Sequence, residues 1–409
     1  MIAISPFAPS SLPELPPIDG VRLATRACGI RYKGRKDLLF IELSSNSTVA
    51  GVFTRSKTCA APVDWCRAVV GGGRGRAVVV NSGNANAFTG QAGVTAVQNI
   101  ATAAATVINC APGEILIAST GTIGLPLDDS RITAALPDLR AQMSEYAWAE
   151  AAQAIMTTDT YPKAATRRAM IGDVQVTLNG IAKGSGMIAP SMATMLGFVF
   201  TDAVIIAPVL HEILRKGVSR TFNCITVDGD TSTNDTLLLF ATGQADHVPI
   251  TAATDPRLAQ FRTQFNEVLL DLAHQVAKDG EGASRFVTLT VNSATSASAA
   301  RRIGFSIANS PLVKTAIAGG DANWGRIVMA IGKSGEKVDR DRLKIRIGGV
   351  AVTENGGPVT GYDEIPIVTH MQGRHIVIEI DVGVGRGRAT VWTCDLTNAY
   401  ININGAYRT

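Results

Sequence analysis

Lys183-Gly184-Ser185-Gly186-Met187-Ile188-Ala189-Pro190-Ser191-Met192-Ala193-Thr194-Met195-Leu196 is the stretch on which the reading of this chain turns. Small, hydroxyl-bearing and glycine residues surround one threonine that follows an alanine. Such a segment has too little apolar bulk and too much backbone freedom to serve as a core element. It suits a backbone that bends sharply around a reacting group. Were the Ala193–Thr194 bond cut, Thr194 would begin a chain, its hydroxyl beside a free amine. That pairing is a recognised way to activate a weak hydroxyl nucleophile.

The same stretch contains Gly184-Ser185-Gly186-Met187-Ile188-Ala189, which fits the dinucleotide fingerprint G-x-G-x-x-A, with Asp202 downstream. That reading is rejected. Pro190 and Ser191 follow the match, Asn179-Gly180 break the preceding strand, and no βαβ unit surrounds it. No G-x-x-x-x-G-K-[ST] loop is present.

Outward from this point, short apolar runs of strand character recur at 37–43, 77–81, 115–119, 174–178, 196–201, 236–241, 286–291, 375–382 and 388–394. Helical stretches are expected at 92–109, 146–156, 208–217 and 256–278. In the last, Leu258, Phe261, Phe265, Val268, Leu269, Leu272 and Val276 repeat at helical spacing. Strands and helices alternate irregularly and several strands follow one another directly. A layered α/β arrangement with mixed sheets is therefore expected. No repeat, low-complexity linker or clear domain boundary is visible.

At 409 residues, 46% hydrophobic and 18% charged, the chain can bury a large core. Its net charge of +4 is scattered, and the clusters at 31–36 and 74–76 read as solvated turns, not a nucleic-acid surface. The Pro- and Ser-rich start reads as an extended arm and not a signal peptide, and no run is long and apolar enough to span a membrane. Six dispersed cysteines without C-x-x-C spacing fit reduced thiols in the cytoplasm. No zinc-helix spacing occurs, so no metal is expected.

Other segments carry candidate chemistry. Ala118-Ser119-Thr120-Gly121-Thr122 ends a strand-like run; its amides and hydroxyls can meet a developing oxyanion, or can simply make a capped glycine turn. Residues 81–87, dense in Asn and Gly, read as a polar loop with left-handed residues. The acidic run 226–235 has some of the spacing of a calcium loop but lacks its downstream Glu, so turn or site-lining structure is expected. Gly280 reads as the C-cap of the long helix, with Glu281 projecting from the turn after it. The tail, with Tyr400, Ile401, Ile403 and Tyr407, is expected to pack and bring polar residues to a site.

Together these segments resemble the ornithine acetyltransferase (glutamate N-acetyltransferase) family of the cyclic arginine pathway, over essentially the whole chain. The segment 183–196 is similar to the family's self-cleavage motif. Residues 54–63, 80–87, 157–163, 232–236, 279–282, 320–327 and the tail also look like family segments. The resemblance implies a four-layer α/β/β/α sandwich, shared with self-processing aminopeptidases. It implies cleavage between Ala193 and Thr194 into an α segment, 1–193, and a β segment, 194–409. Thr194 would then be the acetyl-accepting nucleophile. Thr120 and Gly121 map onto the oxyanion pair, and Thr157, Lys183, Thr194, Glu281, Asn404 and Thr409 onto the substrate contacts. The implied substrates are N-acetylornithine and glutamate. No resident cofactor is implied, and acetyl-CoA is left open as a second donor. The α and β segments would associate and assemble further. The alternative is a self-processing amidohydrolase or aminopeptidase of the same fold, with water as acceptor.

Overall fold

The computed structural model describes residues 3–189 and 195–406. The first part of the chain forms β1 (Val21–Arg26), β2 (Leu38–Leu43), β3 (Thr48–Phe53), α1 (Ala61–Val70), β4 (Ala77–Asn84), α2 (Gly90–Ile108), β5 (Ile115–Thr122), α3 (Asp129–Ala141), α4 (Trp148–Ala154), β6 (Lys163–Ile171) and β7 (Val174–Lys183). It continues with β8 (Leu196–Thr201), α5 (Ala207–Val218), β9 (Thr236–Ala241) and α6 (Ala259–Lys278). A later set follows: β10 (Phe286–Ala294), α7 (Ala297–Ala308), α8 (Pro311–Ala318), α9 (Trp324–Gly332), β11 (Lys344–Ile347), β12 (Val350–Glu354), β13 (Gly357–Pro358), α10 (Glu364–Gln372), β14 (His375–Asp381), β15 (Gly387–Cys394) and α11 (Asn398–Ala406).

Two mixed sheets stack face to face. One has the order β1-β2-β4-β5, the other β3-β9-β8-β7-β6. Their strands are apolar on both faces, and the period of two shows why. In β4, Val78 and Val80 join the core between the sheets, while Ala77 and Val79 turn to the opposite face. In β9, Leu238 and Phe240 point between the sheets, and Leu237 and Leu239 point away. Phe200 stacks on Phe240 at 5.2 Å and meets the Trp148 ring edge-on at 5.4 Å, filling the middle layer.

Helices cover both outer faces. The Ala-rich side of α2 and Ile132, Leu136 and Leu139 of α3 pack on the four-stranded sheet. Val209, Leu210, Ile213 and Leu214 of α5 and the apolar stripe of α6 pack on the five-stranded sheet. The result is the expected α/β/β/α sandwich.

The later strands form a third sheet, β13-β12-β11-β14-β10-β15, with its own core. Ile303 and Ile307 of α7 and Ile327 and Ile331 of α9 pack against Val287, Leu289, Ile345, Ile378 and Val391. In β14 buried and exposed residues alternate, so the opposite face of this sheet is partly open. This unit has no place in the four layers, and its boundary was not visible in the sequence. Asp395 fastens the junction, accepting from the amides of Ser284 and Arg285 at 2.8 and 3.0 Å.

The nine expected strands and four expected helices all occur, β8 and β9 with the expected ends and the others with shifted ones. Gly280 is not a left-handed cap. It lies against Cys394, whose sulfur would be 2.6 Å from an added Cβ, and the positive φ falls on Gly282 at +72°. The tail forms α11, but Ile401 faces solvent, 67% exposed, so less of the tail packs than its composition suggests. Among the described residues, no helix is long and apolar enough to cross a membrane.

Candidate active site

Lys183 ends β7 opposite Leu196, the first residue of β8, so residues 184–195 connect two antiparallel neighbours. This geometry excludes a dinucleotide turn, which needs a strand leading into a helix. Side chains and amides hold the connection on its way out of β7. The Gly184 amide donates to Asp159 Oδ1 at 2.6 Å, and the Glu281 amide donates to the Ser185 carbonyl at 2.9 Å. Asp228 accepts from the amides of Met187 and Ile188 at 2.6 and 2.9 Å, with Met187 in the left-handed region at φ +58°. On the return, the Met195 amide donates to Asp235 Oδ1 at 3.2 Å. Ala193, Thr194 and Thr409 lie outside the described residues. The backbone is thus fixed on both sides of the expected scissile bond.

A cavity of about 240 Å³ adjoins this connection. It is lined by Thr120 and Gly121 from the end of β5, by Thr157 and Thr158, by Lys183, by Glu281, and by Tyr400 and Asn404 of α11. Every expected site residue among the described ones therefore meets at one place. The acidic segment also lines it, through Asp228, Asp230, Ser232, Thr233 and Asn234, as site-lining structure.

Of the two oxyanion candidates, Gly121 sits on a backbone that only glycine permits. Gly121 has φ +132°, and an added Cβ would lie 2.3 Å from the Gly83 carbonyl carbon. The Lys183 ammonium donates to Thr120 Oγ1 at 3.0 Å. With that lone pair occupied, the Thr120 hydroxyl proton is free to turn toward another acceptor. Lys183 is 3% exposed, and burial lowers its pKa, partly offset by the charge of Asp159.

Behind Lys183 lies a buried ion cluster. Lys163 Nζ is 2.7 Å from Asp159 Oδ1 and 2.6 Å from Asp279 Oδ2, with all three side chains fully buried. Burial would raise Asp159, but Lys163, Lys183 and the Gly184 amide hold it well below the usual carboxylate range. Burial opposes the Lys163 charge too, yet its two carboxylates raise its pKa. Asp279 also accepts from the Thr160 amide at 2.9 Å and the Thr160 hydroxyl at 2.5 Å. Near the cavity, the Glu281 carboxylate accepts from Asn404 Nδ2 at 2.7 Å, and Tyr400 donates to Asp228 at 3.2 Å. Burial pushes Asp228 above its ordinary value, and pushes Asp235 far higher.

The sequence pattern of the ArgJ family matches residues 22–409. The chain belongs to this family. The arginine biosynthesis bifunctional protein ArgJ of Agrobacterium fabrum is 56% identical, over 100% of this chain and 99% of its own. That of Gluconobacter oxydans is 53% identical, over 100% and 96%. Among solved structures, the protein of the same name from Bacillus halodurans is 39% identical over 50% of this chain and 96% of its own, with a TM-score of 0.48. The ornithine acetyltransferase of Mycobacterium tuberculosis, in complex with ornithine, is 36% identical over 43% and 93%, with a TM-score of 0.38.

In this ArgJ-family chain, sequence reasoning missed Asp159, Lys163, Asp228, Asp235 and Asp279. Asp228 and Asp235 lie in the acidic run read as turn or site-lining structure, so composition offered a hint there. The Asp159 and Lys163 pair, four residues apart, carries no local mark that both are buried.

Proposed function

We propose that this chain is a self-cleaving acetyltransferase that moves an acetyl group from N-acetylornithine to glutamate through an acetyl ester on Thr194. One observation carries the reading. Thr120, Gly121, Lys183, Glu281 and Asn404 converge on one cavity beside a β7–β8 connection held from both sides.

In the cleavage, Thr194 Oγ attacks the Ala193 carbonyl carbon, the C–N bond breaks, and the amine of Thr194 is released. Water then hydrolyses the ester, leaving an Ala193 carboxylate. The new α-amine has a reference pKa of about 7.7–8.0, so near neutral pH a useful fraction is a free base. It takes the Thr194 hydroxyl proton as Oγ attacks the acetyl carbon of N-acetylornithine. The Thr120 hydroxyl and the Gly121 amide donate to the oxyanion. The amide C–N bond breaks, the proton passes to the departing ornithine nitrogen, and the acetyl ester remains. The glutamate amine then attacks that ester, and Thr194 recovers its proton.

Lys183 is the anchor for the α-carboxylate common to both substrates, and Glu281 for the ornithine side-chain ammonium. Asn404, Thr157 and Thr409 complete the contacts. The chemistry requires no resident cofactor; acetyl-CoA would form the same ester as a second donor. The two segments stay together and assemble further, and the chain works in the cytoplasm.

The test is incubation with N-acetylornithine, with and without glutamate, following ornithine and N-acetylglutamate together. Release of ornithine is expected to depend on glutamate and to match N-acetylglutamate formed. Equal release without glutamate would place the chain among the amidohydrolases instead.

A further inference from the structure

A second cavity, of about 600 Å³, lies across the 226–230 loop from the first. Its wall is largely one face of α7. Ser298, Arg301, Arg302, Phe305 and Ser306 recur at three- and four-residue spacing, and Asn309 follows at the C-cap. The opposite face of α7, with Ala299, Ala300, Ile303 and Ile307, is core. Arg55 and Lys333 come in from other elements. Four cations thus line the space and no carboxylate does. Only Arg302 has an ion-pair partner among the described residues, Glu336.

This cavity is mechanically joined to the catalytic one. The Thr226 hydroxyl donates to Asn309 Oδ1 at 2.8 Å, and an added Cβ on Gly229 would lie 3.3 Å from Asn309 Cγ. Asp228 and Asp230 of the same loop face the catalytic cavity. Arg55 follows Thr54, whose hydroxyl donates to the carbonyl of Ser232, another lining residue, at 2.7 Å.

We propose that the second cavity binds the diphosphate of a nucleotide. Arg55 and Lys333, without ion-pair partners among the described residues, and the remaining donors of Arg301, whose Nη1 donates to the Ser219 carbonyl, suit phosphate oxygens beside the Ser298 hydroxyl, with arginine able to offer two parallel donors. Phe305 supplies a half-buried ring on which a base can lie. The volume is that of a small-molecule site. The diphosphate has two sources: a nucleotide-linked acetyl thioester whose arm reaches the catalytic cavity, or a free nucleotide that acts on the 226–230 loop. The first rests on the transferase reading; the diphosphate site does not.

The probe is inorganic pyrophosphate, titrated calorimetrically into the full-length protein and into an Arg55→Ser/Lys333→Ser double variant. Both side chains are exposed and lack ion-pair partners among the described residues, so fold and glutamate-dependent exchange should be retained. Saturable binding that weakens with added salt is expected, with affinity about tenfold or more lower in the variant, since two charge-assisted contacts are lost. Displacement of pyrophosphate by acetyl-CoA supports the site and assigns it to the donor. Displacement by ADP but not by acetyl-CoA supports it and assigns it to a free nucleotide, and displacement by neither overturns it. No saturable binding, or equal binding by the variant, overturns the proposal. Absence of glutamate-dependent exchange in the unmutated protein, with pyrophosphate binding intact, would sink the transferase reading alone.

Discussion

At Gly186 the chain passes so close to Glu281 that an added Cβ would lie 2.5 Å from the carboxyl carbon and 2.6 Å from either oxygen. With its amide tied to Ser185, Glu281 can yield only at its carboxylate, by giving up the bond from Asn404. Gly186→Ala should therefore displace the carboxylate while leaving Lys183 and Thr120 in place. The expected result is a KM for N-acetylornithine raised about tenfold, the loss of one charge-assisted contact, with kcat changed much less. Steady-state kinetics checks this, and an unchanged KM would remove Glu281 from the ammonium site. The sequence made both residues conspicuous, one as a glycine in a small-residue stretch and the other as a turn carboxylate. It did not show that they touch, because a contact between distant segments leaves no local pattern. The Asp159–Lys163–Asp279 cluster was illegible for the same reason: charged residues normally lie on the surface, and only the fold shows that these three satisfy one another in the interior.

Among the elements, α6 was the plainest in the sequence, and its apolar stripe is buried as its period requires. On the same helix His274 was overlooked. Its ring packs edge-on against Phe286 at 5.3 Å and Trp392 at 4.7 Å, where the sandwich meets the third sheet. Burial, with the nearby Lys278 charge, lowers its pKa to about 4 from an ordinary 6.5. The folded protein binds this proton more weakly than the unfolded chain does. Its contribution to stability is therefore complete above pH 6.5 and lost as pH falls toward 4. In His274→Gln, the loss of unfolding free energy between pH 7 and pH 5 should shrink by about 1–2 kcal/mol. Urea melts at the two pH values measure it; an unchanged difference would mean the ring accepts a proton in the folded state. Strand order was less legible than helix content. Strands such as β8 and β9 are apolar on both faces, so no alternation says which face meets which layer. The alternation in β14 was present, and it marks the sheet that has an open side.

For the whole molecule, the segments 1–193 and 194–409 are not packing units. In the five-stranded sheet, β8 and β9 of the later segment lie between β3 and β7 of the earlier one. Lys183 pairs with Leu196 across the expected cut, and the core between the sheets joins Val78 and Leu116 to Phe198 and Phe240. Breaking the Ala193–Thr194 bond removes one covalent link but none of these hydrogen bonds or apolar contacts. Pulling the segments apart would expose the interior of the sandwich on both. Denaturing mass spectrometry should therefore give two fragments, the second starting at Thr194, while native size exclusion gives one peak containing both. Thr194→Ala should remain a single chain, elute with the same native size, and have no exchange activity. Wild-type protein that exchanges acetyl groups as one intact chain would refute the mechanism. Fragments that separate without denaturant would refute the interlocked sheet, a distinct failure, because the chemistry needs the cut whereas the architecture predicts only what survives it.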